Sequence, residues 1–247
     1  MPETTGDLVT MTWEDAESAF SDADAVVLPL GSIEQHSIHL PVSTDTLRAE
    51  HLTAELVEAA AEHDLRLVRL PTLAYGYSEH HMNFPGTVTL QPETYTQVLV
   101  EIAASLAAHG VDRLVMVNCH GGNRQPMKLA TDRIQRDHGV SVHPLHWTDF
   151  AREYLEAEFG EGWGHAGDHE TSAIELFRDD LVKSENKEPQ NTEEWPKTAA
   201  YTYFDDLTEQ GGLGDPTNAD PEVMERIVEQ TTADILDALR ADIESGW

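Results

Sequence analysis

Cysteine occurs once in this chain of 247 residues, at Cys119, and lysine only at positions 128, 183, 187 and 197. A single cysteine excludes an intrachain disulfide and fits a reducing compartment. Basic residues of either kind are few: 15 against 46 acidic ones, for a net charge of −31. That excess repels polyanions, so neither nucleic acid nor an anionic membrane surface is expected as a partner. Long apolar runs are missing as well, and none approaches the ~20 residues that a membrane-spanning helix needs. Residues 1–20 carry no basic segment followed by an apolar one, so they do not read as a signal peptide. The expected setting is the cytoplasm. Because the acidic residues are spread along the chain rather than gathered in a tail, a cytosol at molar salt, where screening removes the self-repulsion, is the expected one.

What is present is an alternation of buried strands and amphipathic helices. The run Ala25–Leu30 reads as a strand, residues 45–63 as a helix, and Leu65–Leu73 as a second strand interrupted by Pro71. A polar, aromatic- and glycine-containing loop covers 75–90. A helix over 92–109 follows, with Pro92 near its start and Gly110 just beyond its end. Arg113–Asn118 reads as a third strand, 124–138 as a helix and Val140–His146 as a fourth strand. Helices are predicted at 148–158, 168–178 and 220–244, with a polar, irregular stretch between 180 and 220. This order predicts one α/β domain over 1–247, a largely parallel sheet covered on both faces. Sites in such sheets lie at the carboxyl ends of the strands.

Three short stretches stand at such positions. They are Glu34-Gln35-His36 with Asp45 beyond it, Asn118–Asn123 (NCHGGN), and His165–Glu170 (HAGDHE). Each begins where an apolar run ends, and each offers carboxylate oxygen or imidazole nitrogen of the kind that binds Zn²⁺, Mn²⁺ or Fe²⁺. Asp45 at a helix start also fits an N-cap, and the two roles are compatible because a carboxylate has two oxygens. His120 is flanked by Gly121 and Gly122, which allow close backbone approach, and by Asn118 and Asn123, which read as turn-locking residues. Cys119 reads as a small buried residue rather than a thiolate ligand. A shared aspartate predicts two divalent ions rather than one, and with them metal-assisted hydrolysis.

At these residues the chain resembles the creatininase family of metal-dependent amidohydrolases. GSIEQHSIHLPVSTD at 31–45, FPGT at 84–87, NCHGGN at 118–123, HAGDHETS at 165–172 and GDPTNAD at 214–220 carry the resemblance, in the family's order. It implies a single-domain αβα sandwich, two divalent ions per subunit (zinc paired with zinc, manganese or iron), and a homohexamer built as a trimer of dimers. Carried across by motif, Glu34 and His120 hold one ion, His36 the other, and Asp45 bridges them. Where creatininase itself has a second-ion glutamate two residues after the motif histidine, this chain has Gly122. Glu170 is the expected replacement, as ligand and catalytic group together. His165 matches the family's catalytic histidine, which protonates the departing nitrogen. Ser78, Gly121, Gly122 and Trp163 are expected around the substrate, Trp147 near it, His80 and His81 within reach of the site, and His39 behind the ligands.

The implied reaction is hydrolysis of a carbon–nitrogen amide bond other than a peptide bond, in a small substrate such as the cyclic amide creatinine. The Gly121-Gly122 pair also resembles archaeal formamidopyrimidine-nucleotide deformylases of flavin and deazaflavin biosynthesis. A third branch of the family cleaves a peptide during cofactor maturation, and a non-catalytic metal-binding protein is the reading from another class. The charge generates a test independent of any activity. Melting temperature should rise steeply between dilute buffer and molar KCl, as the Debye length falls from ~30 Å at 0.01 M to ~3 Å at 1 M. A melting temperature unchanged by salt would contradict the high-salt reading.

Overall fold

The computed structural model describes residues 6–160, 164–191 and 202–247. Among these, the strands are β1 (Gly6–Asp7), β2 (Ala25–Leu30), β3 (Leu67–Arg69), β4 (Arg113–Asn118) and β5 (Ser141–His146). They form one parallel sheet in the order β1-β3-β2-β4-β5. The apolar runs AVVLPL and RLVMVN suit central strands because both of their faces are covered. Alternation assigns the faces. Ala25, Val27, Val115 and Val117 point into one apolar cluster, and Val26, Leu28, Leu30, Leu114 and Met116 into the other.

The helices are α1 (Trp13–Asp22), α2 (Thr44–Ala59), α3 (Pro92–Ala108), α4 (Arg124–His138), α5 (Trp147–Phe150), α6 (Arg152–Phe159), α7 (Asp168–Arg178) and α8 (Pro221–Glu244). Helices α1, α3 and α4 cover one face of the sheet, and α2 and α5–α8 cover the other. This is the αβα sandwich that the alternation predicts. No described helix is long and apolar enough to cross a membrane.

The register sets up the site. Leu30 pairs with Asn118, and Asn118 with His146, so β2, β4 and β5 end at one level. The strand order turns at β2, whose two neighbours β3 and β4 lie on opposite sides. The segments leaving β2 and β4 therefore open on one crevice, the usual place for a site in an open α/β sheet.

The third strand, α4 and α7 run where the sequence predicts them. The second predicted strand is shorter than 65–73, because Pro71 brings no N–H to a ladder and only Leu73 regains a bridge, to Leu30. The helix expected at 148–158 is two pieces, α5 and α6. Sequence reasoning missed β1 and α1, although Thr12 and Asp15 form a capping box that marks the start of α1.

One core residue is poorly matched to its surroundings. Tyr95 on α3 is fully buried, and its hydroxyl has no hydrogen-bond partner among the described residues. A buried unpaired hydroxyl costs about 1–3 kcal/mol. Tyr95→Phe should therefore stabilise the protein, by roughly 1 kcal/mol, or about 2–4 °C in melting temperature for a domain of this size. A fall in melting temperature would show that the hydroxyl is satisfied.

Candidate metal centre

The loop leaving β2 supplies Glu34 and His36, and the first turn of α2 supplies Asp45. The loop leaving β4 supplies His120, and the start of α7 supplies Glu170, with His165 just before it. Two of the groups that these side chains form share one carboxylate, that of Asp45. In the first, His120 Nδ1 lies 3.1 Å from Asp45 Oδ2 and 3.2 Å from Glu34 Oε2. In the second, His36 Nε2 lies 3.5 Å from both Asp45 Oδ1 and Glu170 Oε2. Both groups have the separations at which a metal ion can be held, and every member is buried.

Hydrogen bonding on the far side of each imidazole fixes which nitrogen is bare. His120 Nε2 is 2.8 Å from Tyr77 O, so it carries the hydrogen and donates, leaving Nδ1 with a lone pair. His36 Nδ1 donates to Glu34 O at 3.2 Å, which leaves Nε2 bare. Both lone pairs face carboxylate oxygens. Glu34 Oε2, Asp45 Oδ2 and His36 Nε2 are buried with no hydrogen bond among the described residues. Acceptors facing acceptors in a buried site need a cation between them, either a proton or a metal. The donor set, imidazole nitrogen and carboxylate oxygen with each ring oriented by a backbone carbonyl, suits a divalent transition metal.

The same crowding governs the charge states. Burial opposes a charge on His36, but Asp45, Glu170 and Glu34 together outweigh it and raise the ring to about 9. His120 is raised well above the usual range, against burial, by Glu34 and Asp45. Burial works against ionised Asp45 and Glu170 too. The imidazoles nevertheless hold Asp45 well below the usual range, and Arg48 with His36 brings Glu170 down to about 2.

Beside the carboxylates lies a second layer that sequence reasoning left without a role. Gln35 Oε1 accepts from Ser37 N at 2.8 Å, which fixes the orientation of the amide. Its Nε2 then donates to His81 Nδ1 at 2.8 Å and to Gly211 O at 3.0 Å. His81 must therefore carry its hydrogen on Nε2, 3.4 Å from Glu34 Oε1. Glu34, His80 and His81 are also close enough to suggest an ion. This hydrogen on His81 removes the lone pair such an ion would need.

His165 Nε2 donates to Gln35 O at 2.7 Å. Its bare Nδ1 lies 3.8 Å from Glu34 Oε1 and 3.9 Å from Glu170 Oε2. Burial lowers His165, so the ring is neutral and open to a proton at Nδ1. Phe204 closes this side, its ring centroid 4.1 Å from that of His81 and 5.0 Å from that of His165.

Asn118 and Asn123 do lock the turn: Asn118 pairs with both backbone groups of His120, and Asn123 reaches Gly31 O, Asn118 Oδ1 and Tyr77 N. Gly121 is exposed, and a Cβ there would meet nothing within 4 Å among the described residues. At Gly122 a Cβ would collide with Tyr77 O and His120 Nε2, so the local backbone path admits only glycine. Ser78 is fully buried, its Oγ 2.5 Å from Ser32 Oγ and 3.2 Å from His120 Nε2, and so lies behind the imidazole. Trp147 is buried in the apolar core, Cys119 is a buried thiol pushed up to about 12 by burial, and Trp163 lies outside the described residues. His39 Nε2 meets Thr171 Oγ1 at 3.0 Å and ties the β2 loop to α7 beside Glu170.

Residues 9–239 match the family model for creatininase, creatinine amidohydrolase. The chain belongs to the creatininase family. With it come the amidohydrolases that act on carbon–nitrogen bonds other than peptide bonds. The mycofactocin precursor peptide peptidase of Mycolicibacterium smegmatis is 33% identical over 210 residues, spanning 82% of this chain and 78% of the relative. Creatinine amidohydrolase of Pseudomonas putida is 29% identical over 252 residues, spanning 94% of this chain and 95% of the relative. Solved creatininases include a point mutant of Zn–Zn type and a manganese form, with TM-scores of 0.84 and 0.83. Both are 26% identical and cover 96% of this chain and 98% of theirs.

Arg48 and Phe204 carried no motif that sequence reasoning could use. Arg48 does have a signal in hindsight: it precedes Leu52 and Leu56 at four-residue spacing, which puts a charge on the apolar face of α2.

The charge states predict a pH dependence for chelator-treated protein. His36 lies above its ordinary 6.5 in the folded chain, at about 9. Its protonation therefore adds stability that is complete below pH 6.5 and lost as pH rises through 9. Glu170, held at about 2, contributes in the opposite sense and loses its share only as pH falls through that value. Melting temperature without metal should fall between pH 6.5 and 9, and added Mn²⁺ should abolish the decline. A flat profile without metal would contradict the arrangement.

Proposed function

We propose that this chain hydrolyses an amide carbon–nitrogen bond with two divalent ions. Glu34, Asp45 and His120 would hold one, and His36, Asp45 and Glu170 the other. The observation that carries the reading is that His120 Nδ1 faces Glu34 Oε2 and Asp45 Oδ2, which have no hydrogen bond among the described residues, while His36 Nε2, equally unpaired there, faces Asp45 Oδ1 and Glu170 Oε2. Ions bound there supply an activated water and a polarised carbonyl at neutral pH. Tyr77 O and Glu34 O orient the two imidazoles, and His81 Nε2–H holds the remaining oxygen of Glu34. His165, anchored through Nε2, receives a proton at Nδ1 and gives it to the departing nitrogen. Glu170 Oε2 faces both His36 and His165, so it serves the ion site and the proton path together.

The substrate in this reading is a small amide, such as a cyclic one of the creatinine type. Cleavage of an amide within a peptide is the second reading, favoured by the exposed Gly121, where open space would let an extended chain pass. A non-catalytic metal protein is disfavoured, because His165 and the ligands of both groups are present. The same proposal takes 1–247 as one catalytic domain that works in a salty cytoplasm as a homohexamer. Light scattering that gives a monomer would remove the assembly from it.

Metal analysis of purified variants tests the assignment. Wild type should hold two ions per subunit, Glu34→Gln and Glu170→Gln one each, and Asp45→Asn neither tightly. His165→Ala should keep both ions while losing about 10²–10⁴-fold in turnover on whichever amide is found to react. Two ions retained in Asp45→Asn would rule out a shared carboxylate.

A further inference from the structure

Arg48 is buried to 1% exposure on the inner face of α2. Its Nη1 lies 2.6 Å from Glu170 Oε1, 3.6 Å from Asp45 Oδ1 and 3.4 Å from Cys119 O, while Nε and Nη2 are buried with no hydrogen-bond partner among the described residues. Burying a guanidinium with two unsatisfied nitrogens is unfavourable unless nearby carboxylates compensate it. The carboxylates that do so here, Glu170 and Asp45, both belong to the His36 group. Among the described residues, no ion pair joins Arg48 to Glu34, and Glu34 is the other carboxylate of the His120 group. The positive charge thus bears unequally on the two groups.

We propose that Arg48 makes the loading of the site stepwise. The Glu34–Asp45–His120 group takes an ion tightly, whereas the His36–Asp45–Glu170 group takes one weakly and exchanges it. The inference rests on the two-ion reading above. Its physical basis is competition. Before an ion arrives, Glu170 Oε1 is already neutralised by a fixed cation of the protein, and Asp45 is partly so. An arriving dication gains less from those carboxylates and is repelled by a guanidinium that cannot lose its charge. Glu170 presents Oε2 alone, because Arg48 holds Oε1, and Oε2 also accepts from Ala166 N at 2.8 Å. Arg48 touches neither imidazole and acts only through the two carboxylates.

Calorimetric titration of the metal-free full chain with Mn²⁺ tests this. Wild type should show two steps, the second weaker by tenfold or more. Arg48→Met, which keeps the length and removes the charge, should tighten the second step about tenfold and leave the first in place. Arg48→Lys, which keeps the charge, should leave the second step weak. The proposal fails if Arg48→Met leaves the second step unchanged or weakens it, which would make Arg48 an aid to Glu170. It also fails if both steps move together, or if Arg48→Lys tightens the second step as much as Met does. Should Arg48→Met not fold, the Lys variant decides alone, and a second step tighter than that of wild type overturns the proposal. A single step in every protein would remove the two-ion reading, and this inference with it.

Discussion

The rest of this molecule is arranged around the carboxylate of Asp45, whose two oxygens face two different imidazoles through lone pairs. Oδ2 looks at His120 Nδ1 from 3.1 Å and Oδ1 at His36 Nε2 from 3.5 Å. Neither imidazole can turn its hydrogen inward, because Tyr77 O and Glu34 O hold those hydrogens on the far side. A buried arrangement of opposed acceptors persists only if cations fill it, and the surrounding charge states reflect that demand. The site is built for positive charge, and the fold is organised to keep it so.

Keeping it so requires several segments to converge without a shared helix or strand. The equal ending of β2, β4 and β5 brings the loops to one level. Asn123 then ties the loop after β4 to Gly31 and Tyr77. Gln35 goes further, since one amide sets the tautomer of His81 and its own carbonyl that of His165. Glycine at 122 completes the packing, with Tyr77 O and the His120 ring occupying the space of a side chain. A glutamate there, which the resemblance to creatininase leads one to expect, would need a different backbone path. Under the two-ion reading, the role of that glutamate passes to Glu170 at the start of α7.

Much of this was legible in the sequence because the candidate ligands sit in short motifs at strand ends, where spacing and residue type speak together. Glu34, His36, Asp45, His120 and Glu170 were all nameable in advance and are brought into one crevice. Helix α1 was not, since of its ten residues only Ala19 is buried. Arg48 was hidden for a different reason. An arginine in a helix reads as solvated, and only its place on the Leu52–Leu56 face argues otherwise. Ser78 has a matching motif, yet its hydroxyl is turned under His120, a matter of loop path that a motif does not contain. Gln35 lay inside a recognised motif, but its importance is a hydrogen-bond network that closes only when residues 81, 165 and 211 are in place.

The magnetism of a bound metal pair reports whether Asp45 bridges two ions. Loading the metal-free protein with two equivalents of Mn²⁺ and recording its electron paramagnetic resonance spectrum distinguishes a bridged pair from isolated ions. Ions about 3.5–4 Å apart, joined by one carboxylate, should give an exchange-coupled spectrum with the hyperfine pattern of a dinuclear centre. A six-line spectrum of uncoupled Mn²⁺ at full loading would contradict a bridging Asp45.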